Sequence, residues 1–176
     1  MFLVNNVAWG GHLSQYGIVP RQPRSLPGIL WAPFLHASFK HLAANTIPLL
    51  ELGAVVCARS RTQFTAVTVL GTISGGALTW LFARHGDHIG ASGLVFCLFG
   101  YLVSLAYFQR TLGTMALAVV CLLAYGGLLK GLLPTSTAIS WEAHLAGFLS
   151  GVGLAWLNSK SKPTSATEAP RLTGIS

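Results

Sequence analysis

The chain has 176 residues, enough for one compact domain, yet 52% of them are hydrophobic and only 9% charged. A soluble domain carries roughly 25% charged residues, so too few polar groups exist to cover a water-facing surface, and a lipid bilayer is the solvent that fits. The net charge of +7 comes from a shortage of acids, four against eleven Lys and Arg. The bases are scattered, many near the ends of apolar runs, which suits membrane anchoring and excludes a nucleic-acid-binding stripe. The three cysteines, Cys57, Cys97 and Cys121, lie inside apolar runs and are not spaced as metal pairs or a disulfide framework. They read as small core residues. No cleavable leader is expected, because the start lacks a charged region followed by an apolar stretch and a small-residue cleavage site.

Residues 1–35 mix Gly, Pro, Arg and aromatics without periodicity. They read as an extracytoplasmic or interfacial loop region containing a short interfacial helix. Five apolar segments then follow, each near the 20 or so residues that a spanning helix needs. They run about His41–Ala58, Phe64–Ala83, Ser92–Phe108, Leu112–Leu133 and Trp141–Asn158. Pro48 interrupts the first and should kink it. Short polar breaks separate the segments, so antiparallel neighbours and an all-α, up-and-down helical bundle are expected over residues 36–158. Residues 159–176 are rich in Lys, Ser, Thr and Pro and read as a disordered cytoplasmic tail.

Positive charge suggests the orientation. One side collects Arg59, Arg61, Arg110, Lys160 and Lys162; the other has Arg84, Lys130 and Lys40, with Arg21 and Arg24 in the long loop. With the long loop discounted, the first side reads as cytoplasmic. The third and fifth segments then begin at the outer face.

Polar residues within spanning segments are costly and are functional candidates by default. Gly90-Ala-Ser92-Gly93 opens the third segment. A helix N-terminus has unpaired N–H groups and a dipole that favours negative charge, so it would stabilise a serine alkoxide or an oxyanion. Taken alone, Ser92 also fits a simple N-cap. His144 opens the fifth segment and shares a helical face with Gly147 and Gly151, a GxxxG pair that permits close helix contact. Ser92, Phe96 and Gly100 share a face on the third segment. Docking these stripes would bring the imidazole within reach of the Ser92 hydroxyl. His41 and Asn45 are spaced i, i+4 and can both donate hydrogen bonds, as an oxyanion hole requires; a polar seam between helices is the plainer account. His36 lies just upstream. No metal site is expected, since the usual carboxylate or thiolate ligands are missing at this depth. Glu51, the only acid well inside an apolar run, reads as a hydrogen bonder to a neighbouring helix.

Together, His36, His41-Leu-Ala-Ala-Asn45, Gly90-Ala-Ser-Gly93 and Ala143-His-Leu-Ala-Gly147 resemble the rhomboid family of intramembrane serine proteases, in order and approximate spacing, over about Tyr16 to Asn158. The resemblance implies Ser92 as nucleophile and His144 as general base, a dyad without an acid. It implies an oxyanion hole made by the Ser92 N–H with His41 and Asn45, and supporting roles for His36, Gly90, Gly93, Phe96, Gly147 and Gly151. It implies no cofactor. Its substrates would be single-pass membrane proteins cut within the bilayer, with the active site toward the extracytoplasmic face of the cell membrane. Two departures stand out. Phe96 occupies a position where the family commonly has Tyr, so stacking on the histidine is expected without a phenolic hydrogen bond. The usual six-helix core is also expected to be one helix short, its first helix missing through truncation or start misassignment. Two other readings are a catalytically impaired relative that binds transmembrane helices as a chaperone or scaffold, and a small transporter component. The latter would need a polar path across the bilayer, whereas these polar groups cluster at one depth.

Overall fold

The computed structural model describes residues 15–134 and 140–161. Five long helices form an antiparallel bundle: α1 (Phe39–Arg59), α2 (Arg61–Phe82), α3 (Ser92–Gln109), α4 (Leu112–Tyr125) and α5 (Trp141–Lys160). The expected bundle and its five segments are therefore present, and the ends of four of them lie within about three residues of the sequence expectation, the usual scatter of helix boundaries. The exception is the fourth. Its α-helix stops at Tyr125 and tightens into a 3-10 segment, Gly126–Leu132. Gly126 and Gly127 follow directly on Tyr125, and glycine disfavours an α-helix by about 1 kcal/mol relative to Ala.

Local chemistry sets the helix starts. Ser38 accepts a hydrogen bond from the His41 N–H (3.1 Å) at the head of α1, and Ser60 accepts from Gln63 (3.2 Å) at the head of α2. Thr111 and Thr114 form a reciprocal capping box on α4. Each cap satisfies backbone donors that a helix N-terminus leaves unpaired.

α3 is the centre of the bundle and packs against the other four long helices. Every residue from Val95 to Leu102 is buried, as befits a helix that is apolar nearly all round. α5 lies closest to it. A Cβ at Gly147 would overlap the Gly93 carbonyl, and one at Gly151 would overlap the Cys97 carbonyl. Glycine at both positions allows the two backbones to touch.

Among the described residues, four spans are long and apolar enough to cross a membrane: α1, α2, α3 and Leu112–Leu132. α5 has the length but falls short on composition, because Glu142, His144, Ser150 and Asn158 interrupt it. Ser150 is buried, and Asn158 is hydrogen-bonded within the bundle. The outer surface is apolar, with Ile47, Leu50, Phe82, Leu112 and Leu123 among the exposed residues. Lipid accommodates such a surface, whereas a soluble monomer would not.

Residues 15–35 run as a loop with short helical turns at Pro23–Ser25, Gly28–Trp31 and Ala32–Phe34. The loop is strapped to the end of α2: the Arg21 guanidinium donates to the Leu81 and Ala83 carbonyls (3.2 and 2.8 Å). It is also joined to the α2–α3 connection, where Ile18 and His88 exchange two backbone hydrogen bonds (3.0 and 2.9 Å). The expected disordered tail begins too early by sequence: α5 continues through Lys160, and residues 162–176 lie outside the described residues, as do residues 1–14 of the expected N-terminal loop region. Glu51 is exposed, and among the described residues it makes no hydrogen bond to a neighbouring helix. The sequence expectation of such a bond is corrected, because the residue falls on the outer face of α1.

Candidate active site

The starts of α1, α3 and α5 meet at one end of the bundle. A cavity of about 620 Å³ opens there, lined by His41, Asn45, Ser92, Phe96, Gly131 and His144 among others. Side chains far apart in sequence, from His41 on α1 to His144 on α5, thus share one space.

Ser92 is the first residue of α3 and is half-buried. The N-cap is Ala91, which has no side chain with which to cap, so the plainer account of Ser92 as an N-cap is corrected. Its hydroxyl makes no hydrogen bond among the described residues, and it faces the cavity beside the unpaired N–H groups of the α3 start. Gly90, just before it, has φ +112°, a conformation that favours glycine. A Cβ there would also come within 2.7 Å of the His41 ring. Gly90 thus sets both the backbone turn and the close seating of His41.

His144 lies in the first turn of α5. Phe96 stacks on its ring, with centroids 4.2 Å apart and planes 10° from parallel. Its Nδ1 lies 3.0 Å from the Gly131 carbonyl oxygen. A carbonyl only accepts, so Nδ1 carries the proton and the neutral ring keeps its lone pair on Nε2. Among the described residues no hydrogen bond joins Ser92 to His144. In many resting active sites such contacts are long and tighten only when substrate binds.

Asn45 is buried, and its Nδ2 donor has no partner among the described residues. An unpaired buried donor is costly, so a group that supplies an acceptor would be held strongly there. His36 is buried too. The Ala91 N–H donates to its Nε2 (3.4 Å), and its ring meets that of His41 edge-on at 5.1 Å. Burial, followed by the nearby His41, lowers the His36 pKa, while a backbone contact at Phe34 opposes this. The ring is therefore neutral near pH 7, with its proton on Nδ1, another buried atom without a partner among the described residues. Among the described residues no three His, Cys, Asp or Glu side chains converge as metal ligands would.

The structure thus brings Ser92, His144, His41 and Asn45 to one cavity, with Phe96 against His144, Gly90 against His41, and Gly93 and Gly147 in contact behind them. Gly151 and His36 stand further back, packing α5 on α3 and holding the Ala91 backbone. Sequence reasoning missed the Gly131 carbonyl, which lies in the 3-10 segment Gly126–Leu132 that the apolar run did not announce. It also missed Arg84 and His88. Glu142 is one of only four acids in the chain, and it pairs with Arg84 at 3.3 Å; counting charges at the two outer breaks was the one signal that could have suggested it.

A family model described as Rhomboid domain matches residues 23–161. An uncharacterized protein of Mycobacterium tuberculosis is 39% identical over 159 residues, which cover 85% of this chain and 66% of the relative. One from Mycobacterium leprae is 39% identical over 160 residues, covering 82% and 63%. RHOMBOID-like protein 7 of Arabidopsis thaliana is 32% identical over 158 residues, covering 86% of this chain and 46% of the relative. The chain spans about two thirds of the length of the mycobacterial relatives.

Proposed function

The chain belongs to the rhomboid family and is an integral membrane protein, and from that premise we propose that it is a serine endopeptidase that cuts the transmembrane segments of other membrane proteins. The observation that carries the reading is the shared cavity, lined by Ser92, His144 and Asn45, where among the described residues the serine hydroxyl is unengaged, the His144 Nε2 lone pair has no partner and the Asn45 Nδ2 donor is unpaired. Ser92 Oγ attacks the scissile carbonyl carbon, and its proton passes to His144 Nε2. The oxyanion that forms is met by the Ser92 N–H and by Asn45 and His41. Collapse breaks the C–N bond, and the imidazolium gives its proton to the leaving amine. Water then attacks the acyl-serine with His144 again as base; collapse breaks the ester C–O bond, the imidazolium returns its proton to Ser92 Oγ, and the new carboxyl terminus is released. The histidine is oriented without a carboxylate in this reading: Gly131 fixes its tautomer and Phe96 its plane.

The active-site end faces the extracytoplasmic side of the cell membrane in this reading, following the positive charge at the opposite ends of the helices. Cleavage of a single-pass membrane protein reconstituted with this chain in liposomes tests the proposal. Two fragments that are absent with Ser92→Ala are expected. An intact substrate that copurifies with the wild type would instead favour the catalytically impaired binder.

A further inference from the structure

Helices α1, α2 and α4 each begin with a side chain that caps its own backbone. α5, which carries His144, does not. Ser140 occupies its N-cap, a favoured place for serine, yet makes no side-chain cap bond. Its hydroxyl is paired instead with His88 Nδ1, 52 residues earlier. Its carbonyl oxygen accepts the His144 N–H (3.2 Å). Ser140 therefore joins the α2–α3 connection directly to the residue proposed as the base.

His88 is held firmly enough to serve as an anchor. It is buried, and its backbone is paired on both sides with Ile18. Its Nε2 lies 3.0 Å from the Arg84 carbonyl oxygen. Because that oxygen only accepts, Nε2 carries the proton, and Nδ1 accepts from the Ser140 hydroxyl. His88 also lies one short step before Ser92, on the connection that leads into the proposed nucleophile. One short segment thus carries both the approach to Ser92 and the contact that holds the turn of His144.

We propose that His88 and Ser140 are a positioning pair that sets the height and rotation of the first turn of α5, and so the register of the His144 imidazole against Ser92. The inference rests on the protease reading above. A displacement of about 1 Å at reacting groups can cost on the order of a hundredfold in rate, so a contact one turn from the base has leverage beyond its own strength. The alternative is a staple that only adds stability.

The two roles separate in the rate at which a fluorophosphonate labels the full chain in detergent, measured well below each variant's melting temperature. His88→Leu and Ser140→Ala are each expected to slow the maximal labelling rate by about tenfold or more, with the probe concentration for half-maximal rate unchanged. Ser140→Thr, which keeps the hydroxyl, should recover most of the rate. The double variant should lose no more than the worse single variant, since both break one contact. Tyr101→Phe, at the far end of the bundle, calibrates a loss of stability that leaves the rate alone. Wild-type rates in folded His88→Leu and Ser140→Ala, or losses that multiply in the double variant, would overturn the positioning role. If His88→Leu does not fold, the Ser140→Ala and Ser140→Thr pair decides the matter. A wild type that is not labelled at Ser92 would sink the protease reading, and this inference with it.

Discussion

Two clusters of buried polar groups, one toward each end of the bundle, are treated in opposite ways. At the end away from the cavity, Gln63, Tyr101 and Asn158 close a ring of hydrogen bonds across α2, α3 and α5: Tyr101 donates to Gln63 (3.1 Å), Gln63 to Asn158 (2.9 Å) and Asn158 to Tyr101 (3.0 Å). Each group satisfies another. Toward the cavity, the Asn45 Nδ2 donor and the His36 Nδ1 are buried without partners among the described residues. Tyr101 follows Ser92 by nine residues, about 14 Å along α3 at 1.5 Å per residue. Within that distance lie both a closed ring of hydrogen bonds and buried donors without partners among the described residues. A satisfied network stabilises; an unsatisfied one costs free energy unless a ligand or transition state completes it.

The contrast predicts a double dissociation. Asn45→Ala should lower the cleavage rate by roughly 10²- to 10³-fold, the usual consequence of losing one oxyanion donor, with melting in detergent at or above that of the wild type. A large loss of stability with normal cleavage would reverse the roles of the two ends. Tyr101→Phe should do the opposite. It leaves the Gln63 acceptor and an Asn158 donor short of a partner, at a cost of about 1–3 kcal/mol. Equilibrium unfolding in mixed micelles measures this, and the cleavage rate of the folded fraction should be unchanged.

The smallest effect expected is that of pH on His36. Its pKa is lowered in the folded state by burial, so below about 6.5 the unfolded chain binds the proton more readily. The stability from a neutral His36 is complete above that pH and is lost as pH falls toward the folded-state value. Between about pH 7.5 and 5.5, a window around the unperturbed histidine value, His36→Gln should therefore lose less stability than the wild type. Equal slopes would remove His36 from the account.

Much of the scaffold was legible because each apolar run is bounded by residues with a clear physical role. Pro48 and the arginines mark the runs, and the spacing of Gly147 and Gly151 places both on the face that meets α3. The positions of Ser92, His144, His41 and Asn45 near helix starts were legible for the same reason: a helix start fixes depth. The contacts that orient these side chains were not. Gly131 meets His144 from the 3-10 segment that follows Gly126, and the direction the chain takes there is not encoded in the apolar pattern. His88 and Ser140 meet across 52 residues, and no local periodicity encodes such a pair. Ser140 stands at a position where serine usually caps, yet its hydroxyl is directed to His88.

The central claim is that the cavity end holds a reactive serine. Incubating the purified chain with a fluorophosphonate and mapping the adduct by peptide mass spectrometry tests it most directly. A single adduct on Ser92 is predicted, absent in Ser92→Ala and strongly slowed in His144→Ala. Equal labelling of the wild type and Ser92→Ala, or an adduct on another serine alone, would contradict it.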